Sequence, residues 1–281
     1  MSSVCFKKNF EDQKPSLSNQ YSFTFSRKHL VGKKVLNIGC WTGGYEYYLN
    51  KFPCQLIAID ISQEALNLAK KKYPKVKFIK GDVLCLPFKN GEFDVITMWL
   101  ALEHLPRGTE RKAVSEIHRC LKEKGVFFFS VPTNRWQNYL LDPAIYFKGH
   151  RRYSLGQLKK ILDGKFKLID WEIKGGWFYG LSCLFFLIKK HLGFKTFYST
   201  ASRLIPCRLR RGETAVSISV RTGMRRTKPS AKADSFPRVF EGNPVRSAAG
   251  RFHLWCQEKA KKEFIDGKNN FGEFYCRSIK I

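Results

Sequence analysis

Between Lys34 and Val131 the chain alternates between two hydrophobic rhythms. The short apolar runs Lys34–Ile38, Gln55–Asp60, Val76–Ile79, Phe93–Met98 and Val126–Val131 read as five strands. The last is apolar at nearly every position, as a strand covered on both faces should be. Helical stretches lie between them. Gly43–Asn50 continues from a glycine-containing turn as a Tyr-rich helix. Ser62 caps the next helix, with Glu64 in its first turn and Lys70, Lys71 and Lys72 in its last, charges that suit the helix dipole. Pro74 stops it. Thr109–Leu121 puts Ala113, Ile117, Cys120 and Leu121 on one face. Strands alternating with helices predict an α/β, doubly wound parallel sheet. Such a sheet binds its ligands at the carboxyl ends of the strands.

Composition narrows the class. The 281 residues are 43 % hydrophobic and 26 % charged, which excludes a wholly disordered chain, a collagen and a coiled coil. No apolar run reaches the roughly 20 residues of a membrane-spanning helix, and the first ten residues hold no apolar core of the kind a secretory signal carries. Nine cysteines at scattered spacings, without a C-x-x-C pair, predict reduced thiols, a cytoplasmic protein and no structural zinc. The 51 Lys+Arg outnumber 23 Asp+Glu for a net charge of +28, spread along the whole chain, which attracts anionic lipid or nucleic acid. From Thr222 to Ile281 only 12 of 60 residues are Leu, Ile, Val or Phe. The composition therefore predicts a basic, poorly ordered tail over 222–281, and the expected division of the rest is an N-terminal segment 1–22 and a domain 23–221.

Four segments carry candidate chemistry. Val35-Leu36-Asn37-Ile38-Gly39-Cys40-Trp41-Thr42-Gly43-Gly44 is a strand entering a turn in which a ligand can approach the backbone. An ordinary strand–helix turn has the same look. Asp60, with Ile61 beside it, ends the second strand about 20 residues later, where a carboxylate can accept both hydroxyls of a ribose. Helix capping is the alternative role, but Ser62 already serves as the cap. Gly81-Asp82-Val83-Leu84-Cys85-Leu86-Pro87-Phe88 follows the third strand; Asp82 can accept from an exocyclic amine while Val83 lines a flat base. Phe93-Asp94-Val95-Ile96-Thr97-Met98 leads into Trp99-Leu100-Ala101-Leu102-Glu103-His104.

In their order and spacing these segments resemble the class I S-adenosylmethionine-dependent methyltransferases, most nearly the subgroup of the ubiquinone and menaquinone methyltransferases, over roughly residues 23 to 174. The resemblance implies a Rossmann-like, seven-stranded sheet with its last strand antiparallel, for which Glu213–Val220 is the candidate. It also implies S-adenosyl-L-methionine as cofactor, its methionine end against Asn37, Gly39, Cys40 and Gly43. Asp60 would hold the ribose, Asp82 and Val83 the adenine, and Met98 and Trp99 would lie near the methyl donor. Two residues depart from the family pattern: Asn37 stands where an acid is usual and Trp41 where a glycine is usual. Asn37 keeps an acceptor but lacks the charge that would pair with the ligand amine. Leu100 replaces an acid that helps hold a metal in ubiquinone O-methyltransferases, so no metal is expected.

A hydroxyl nucleophile needs its proton removed, and an imidazole titrates near neutrality. His104 is the candidate base, although the L-E-H segment also serves a structural role in such folds. His150, Arg151 and Tyr153, before a helix beginning near Leu155, are candidates for substrate binding, with the arginines suited to an anionic group. A solvated basic helix start reads equally well there. Gly176–Ile188, thirteen residues followed by Lys189, Lys190 and His191, is too short to span a bilayer; it suits an ordinary covering helix, a greasy pocket wall or peripheral membrane contact. The leading expectation is methyl transfer to a small-molecule, lipid or lipid-linked acceptor. Methylation of nucleic acid, favoured by charge alone, and a non-catalytic methyltransferase-like binding protein are the alternatives. The oligomeric state is not legible.

Overall fold

The computed structural model describes residues 15–141, 150–178, 180–181, 255–256, 258–264 and 272–281. Its sheet grows outward from two neighbouring inner strands. β1 (Lys34–Ile38) and β4 (Phe93–Trp99) run parallel, with Ile38 opposite Met98. β2 (Gln55–Asp60) and β3 (Lys77–Lys80) extend one side, with Ile38 opposite Ile59 and Asp60 opposite Lys80. β5 (Leu121–Pro132) extends the other side in parallel. Antiparallel β7 (Glu273–Lys280) then pairs with β5 and with the edge strand β6 (Phe166–Lys174). The order β3-β2-β1-β4-β5-β7-β6 is the seven-stranded, doubly wound sheet with an antiparallel last strand that the resemblance implied.

Alternation along the strands divides the core. On one face Ile96, Met98, Phe127 and Phe129 pack under α4 (Glu110–Cys120). On the other, Val95, Trp99, Phe128 and Tyr275 pack with Leu30 and Tyr45. Before β1, α1 (Leu17–Ser26) lies against β7, where Ser18 Oγ donates to Glu273 Oε2 at 2.8 Å. α2 (Glu46–Leu49) follows the glycine turn, and α3 (Gln63–Lys72) starts at the Ser62 cap, whose hydroxyl accepts from the Ala65 amide at 3.2 Å. α5 (Trp136–Leu141) and α6 (Leu155–Leu162) follow β5.

Four expectations are set against the structure here. The antiparallel strand is Glu273–Lys280, inside the predicted tail, whereas Glu213–Val220 lies outside the described residues. Averaging over sixty residues diluted a short strand whose buried Phe274, Tyr275 and Cys276 include two residues that a Leu/Ile/Val/Phe count ignores. Residues 258–264 are helical too, with Ala260 and Phe264 buried, so the stretch 222–281 is no mere appendage. α1 starts at Leu17, six residues ahead of the start expected for the domain. That helix turns serines inward (Ser18, Ser22 and Ser26, four apart), and an apolar periodicity does not register them. Finally, the helix expected over Gly43–Asn50 shrinks to Glu46–Leu49.

Candidate active site

Because β1, β2 and β4 end in register, their loops meet at one edge of the sheet. The amides of Gly39 and Cys40 both donate to the Ile59 carbonyl, at 2.9 and 3.1 Å, and the Gly81 amide donates to the Asp60 carbonyl at 3.1 Å. Gly39 has φ +75°, and a Cβ there would lie 2.8 Å from the Ala101 Cβ. Glycine at 39 is thus required twice, by the left-handed backbone and by the close approach of the loop after β4.

Asp60 organises this edge. Its Oδ2 accepts from the Trp41 amide at 2.8 Å and its Oδ1 from the Ser62 amide at 2.9 Å. Each carboxylate oxygen retains a further lone pair for a ligand hydroxyl. Trp41 has φ +48°, and so does Leu100, whose amide is held by Ser130 across the edge. Left-handed backbone at a bulky residue costs about 1–2 kcal/mol, and such outliers cluster at functional sites. Trp41 is 37 % and Ile61 68 % exposed, so two large apolar side chains stand open on either side of Asp60 in the chain. Asp82 is exposed and accepts from the Leu84 amide at 2.9 Å, and Val83 is buried. Gly43, at φ +87°, donates its amide to the Cys40 carbonyl at 2.9 Å.

Asn37 sits behind the turn, 1 % exposed. Its Oδ1 accepts from Thr97 Oγ1 at 2.8 Å, and its Nδ2 donates to Glu46 Oε1 at 2.6 Å. The acceptor assigned above to the ligand amine is therefore already engaged within the protein. Glu46 is fully buried, and its Oε2 has no hydrogen-bond partner among the described residues. Burial pushes its carboxyl up to about 7, opposed by the Asn37 hydrogen bond and reinforced by the Asp60 carboxylate. Burial likewise holds the Cys40 thiol well above its usual range, helped by Glu46 and Asp60. Glu46 lies outside the motifs that mark the site in the sequence. The signal was available: with an amide at 37, the next acid within reach of the turn is the one that opens α2.

The other expected residues divide. Cys40 packs with Ala58, Leu66 and Ala69. Met98 and Trp99 are buried on opposite faces of the sheet, in the two large core clusters, so their side chains are taken up by packing. His104 and His150 come together although they lie far apart in sequence: their ring centroids are 4.6 Å apart, edge to face. Arg151 and Tyr153 brace the short helix Leu102–His104. Arg151 donates to the Leu102 carbonyl at 2.9 Å and pairs with Glu110, and Tyr153 Oη donates to the Leu102 carbonyl at 3.3 Å. Burial raises the Tyr153 phenol to about 12. Beside them opens a cleft of about 420 Å³ with Arg107, Tyr139, His150 and Arg152 in its wall. The Arg152 guanidinium lies 4.9 Å from the centre of the Tyr139 ring.

The edge fits an adenosyl amino acid: an acid for the ribose, open apolar flanks, and a buried carboxylate oxygen without a partner. Residues 35–125 match the family model of a methyltransferase domain. An uncharacterized methyltransferase of Synechocystis sp. is 32 % identical over 114 residues, 41 % of this chain and 53 % of that one. The phthiotriol/phenolphthiotriol dimycocerosates methyltransferase of Mycobacterium tuberculosis is 33 % identical over 113 residues, 39 % of this chain and 41 % of that one. The chain thus spans about half the length of the curated relatives it matches. The structure of a candidate sarcosine dimethylglycine methyltransferase from Galdieria sulphuraria superposes with a TM-score of 0.54 at 12 % identity, covering 93 % of this chain and 84 % of that one, a likeness of fold.

Proposed function

We propose that this chain, a class I S-adenosylmethionine-dependent methyltransferase by its domain and fold, methylates a hydroxyl of a lipid or lipid-linked acceptor that also carries an anionic group. The observation that carries this reading is the contact between Gly39 and Ala101, which sets the glycine turn directly against the loop that bears His104.

Bound at the turn, S-adenosyl-L-methionine supplies an electrophilic methyl group on a good leaving group. The protein's own work is to hold, align and deprotonate. Asp60 holds the ribose hydroxyls and Asp82 the adenine amine. His104 takes the proton from the acceptor hydroxyl, with the His150 ring packed on its edge. Arg151 acts through its bonds to the Leu102 and Glu103 carbonyls and is a positioning residue. Arg107 and Arg152 face the cleft and suit an anionic group on the acceptor. A lipid is favoured by exposed aromatics beside that cleft. Trp136 and Tyr139 share a face of α5, and Trp136 lies 6.0 Å from the Trp177 ring. The mycobacterial relative points the same way. No helix among the described residues is long and apolar enough to cross a membrane, so contact with a lipid would be peripheral.

The test is mass spectrometry of a cell extract incubated with the protein and isotopically labelled donor. Label in the organic-soluble fraction is the expected result. Label in RNA would establish the nucleic-acid alternative instead. Absence of label, with the nucleoside still bound, would make this a binding protein.

A further inference from the structure

Glu46 is the one described carboxylate at the glycine turn for which the fold leaves an oxygen both fully buried and unsatisfied. Removing a charged oxygen from water without a partner is costly. Three things can relieve it: a proton, an ordered water or a cation. Among the described residues, no cation acts on Glu46. The groups that act electrostatically on Glu46 or feel its charge are Asp60 at the end of β2, Cys40 in the turn and Tyr45 beside it, all of them neutral or acidic. Asn37, from β1, satisfies only Oε1. The Asp60 carboxylate thus adds to the burden on Glu46, with no compensating charge among the groups that act on it.

We propose that Glu46 Oε2 receives the ammonium of the amino-acid end of the bound nucleoside, so that the charge missing at Asn37 is supplied from the first residue of α2. The assignment rests on the methyl-transfer reading above and deepens it. Asn37 becomes a positioning residue. Its Oδ1 is fixed by Thr97, so its amide must donate, and that donation turns the Glu46 carboxylate to leave Oε2 available. The elevated carboxyl supports this: without ligand the site holds a proton near neutrality, and a bound ammonium replaces it.

The experiment is calorimetric binding of two nucleosides to the full chain. S-adenosylhomocysteine carries the amino acid, and 5′-methylthioadenosine lacks it. In the Glu46→Gln variant, affinity for S-adenosylhomocysteine should fall roughly tenfold, as expected when a charged hydrogen bond becomes a neutral one. Affinity for methylthioadenosine should stay within about twofold. The double variant Asn37→Asp with Glu46→Gln, which returns an acid to 37, should recover most of the loss. Equal weakening of both nucleosides, or of neither, overturns the proposal. Wild-type protein that binds neither overturns the methyl-transfer reading and this assignment with it. If the variants do not fold, wild-type protein alone decides. The affinity ratio of the two nucleosides should rise roughly tenfold from pH 5.5 to 7, as Glu46 loses its proton, and a flat ratio overturns the proposal.

Discussion

Replacing Glu46 by Gln should stabilise the ligand-free protein, and only above a defined pH. The carboxyl is held at about 7 in the fold against an ordinary 4.5, because burial penalises its charged form. The folded state therefore holds this proton more tightly than the unfolded chain. Below about pH 4.5 both states are protonated and the group costs nothing. As pH rises from 4.5 to 7 the unfolded chain ionises first, and stability drains away until both states are ionised. At about 1.4 kcal/mol for each pH unit, the displacement from 4.5 to about 7 amounts to a penalty on the order of 3 kcal/mol above neutrality. Glutamine keeps an oxygen for the Asn37 amide and cannot ionise. Its amide nitrogen, standing in place of Oε2, carries an offset of about 1–3 kcal/mol for poor satisfaction, and that offset does not vary with pH. The diagnostic is therefore the slope. Urea unfolding of both proteins from pH 4.5 to 8 should show the variant gaining on wild type by about 3 kcal/mol across that window. A difference that stays constant with pH, or that shrinks as pH rises, would refute the buried-carboxylate account.

Other expectations follow from the same coordinates. Gly39→Ala should cost about 2 kcal/mol or more by urea unfolding, because it combines a left-handed φ with a 2.8 Å approach to Ala101. Gly32→Ala, at φ +69° with nothing within 4 Å, should cost only about 1 kcal/mol; equal losses would mean that the contact at 39 is relaxed. Removing residues 272–281 takes out β7 from between β5 and β6 and should abolish the cooperative thermal transition, whereas a retained transition would show that the sheet closes without it. His104→Asn should lower kcat by about a hundredfold or more and remove the acidic limb of the pH–rate profile. A smaller loss with the limb retained would assign the proton to another group.

Legibility followed physical cause. The first five strands could be read because the innermost of them, β1, β4 and β5, are covered on both faces and so carry mostly apolar runs. β7 is also paired on both sides, yet it is interrupted by charges with local answers: Arg277 reaches Asp170 at 2.7 Å, and Lys280 donates to the Leu121 carbonyl at 2.9 Å. Its chemistry looked like tail. α1 escaped for the opposite reason, since its inward side chains are serines satisfied by Ser18–Tyr275 and Ser26–Tyr45 hydrogen bonds, at 2.9 and 2.7 Å. At the site, the segments around His104 and His150 were both visible, but their meeting depends on Tyr153 and Arg151 reaching back to Leu102, which no spacing encodes.

The two departures from the family pattern show most clearly what a residue-by-residue comparison misses. At Trp41 the residue type departs from glycine but the backbone does not. It keeps a left-handed φ of +48°, and the amide so presented is held by Asp60 at 2.8 Å. The strain is balanced by the same carboxylate that the ligand's ribose would engage. At Asn37 the charge departs, and a carboxylate arrives 2.6 Å away on α2, buried and half satisfied. On the proposed reading, the requirement of the site, a left-handed turn and a negative charge behind it, is met in both places by a different residue from the one the pattern names. That reading makes conformation and charge the quantities the site holds fixed, with residue identity free to move as long as both are supplied. The swapped variant, Asn37→Asp with Glu46→Gln, puts that statement at risk directly: if charge at the site is what matters, moving it back by nine positions should leave nucleoside affinity close to wild type.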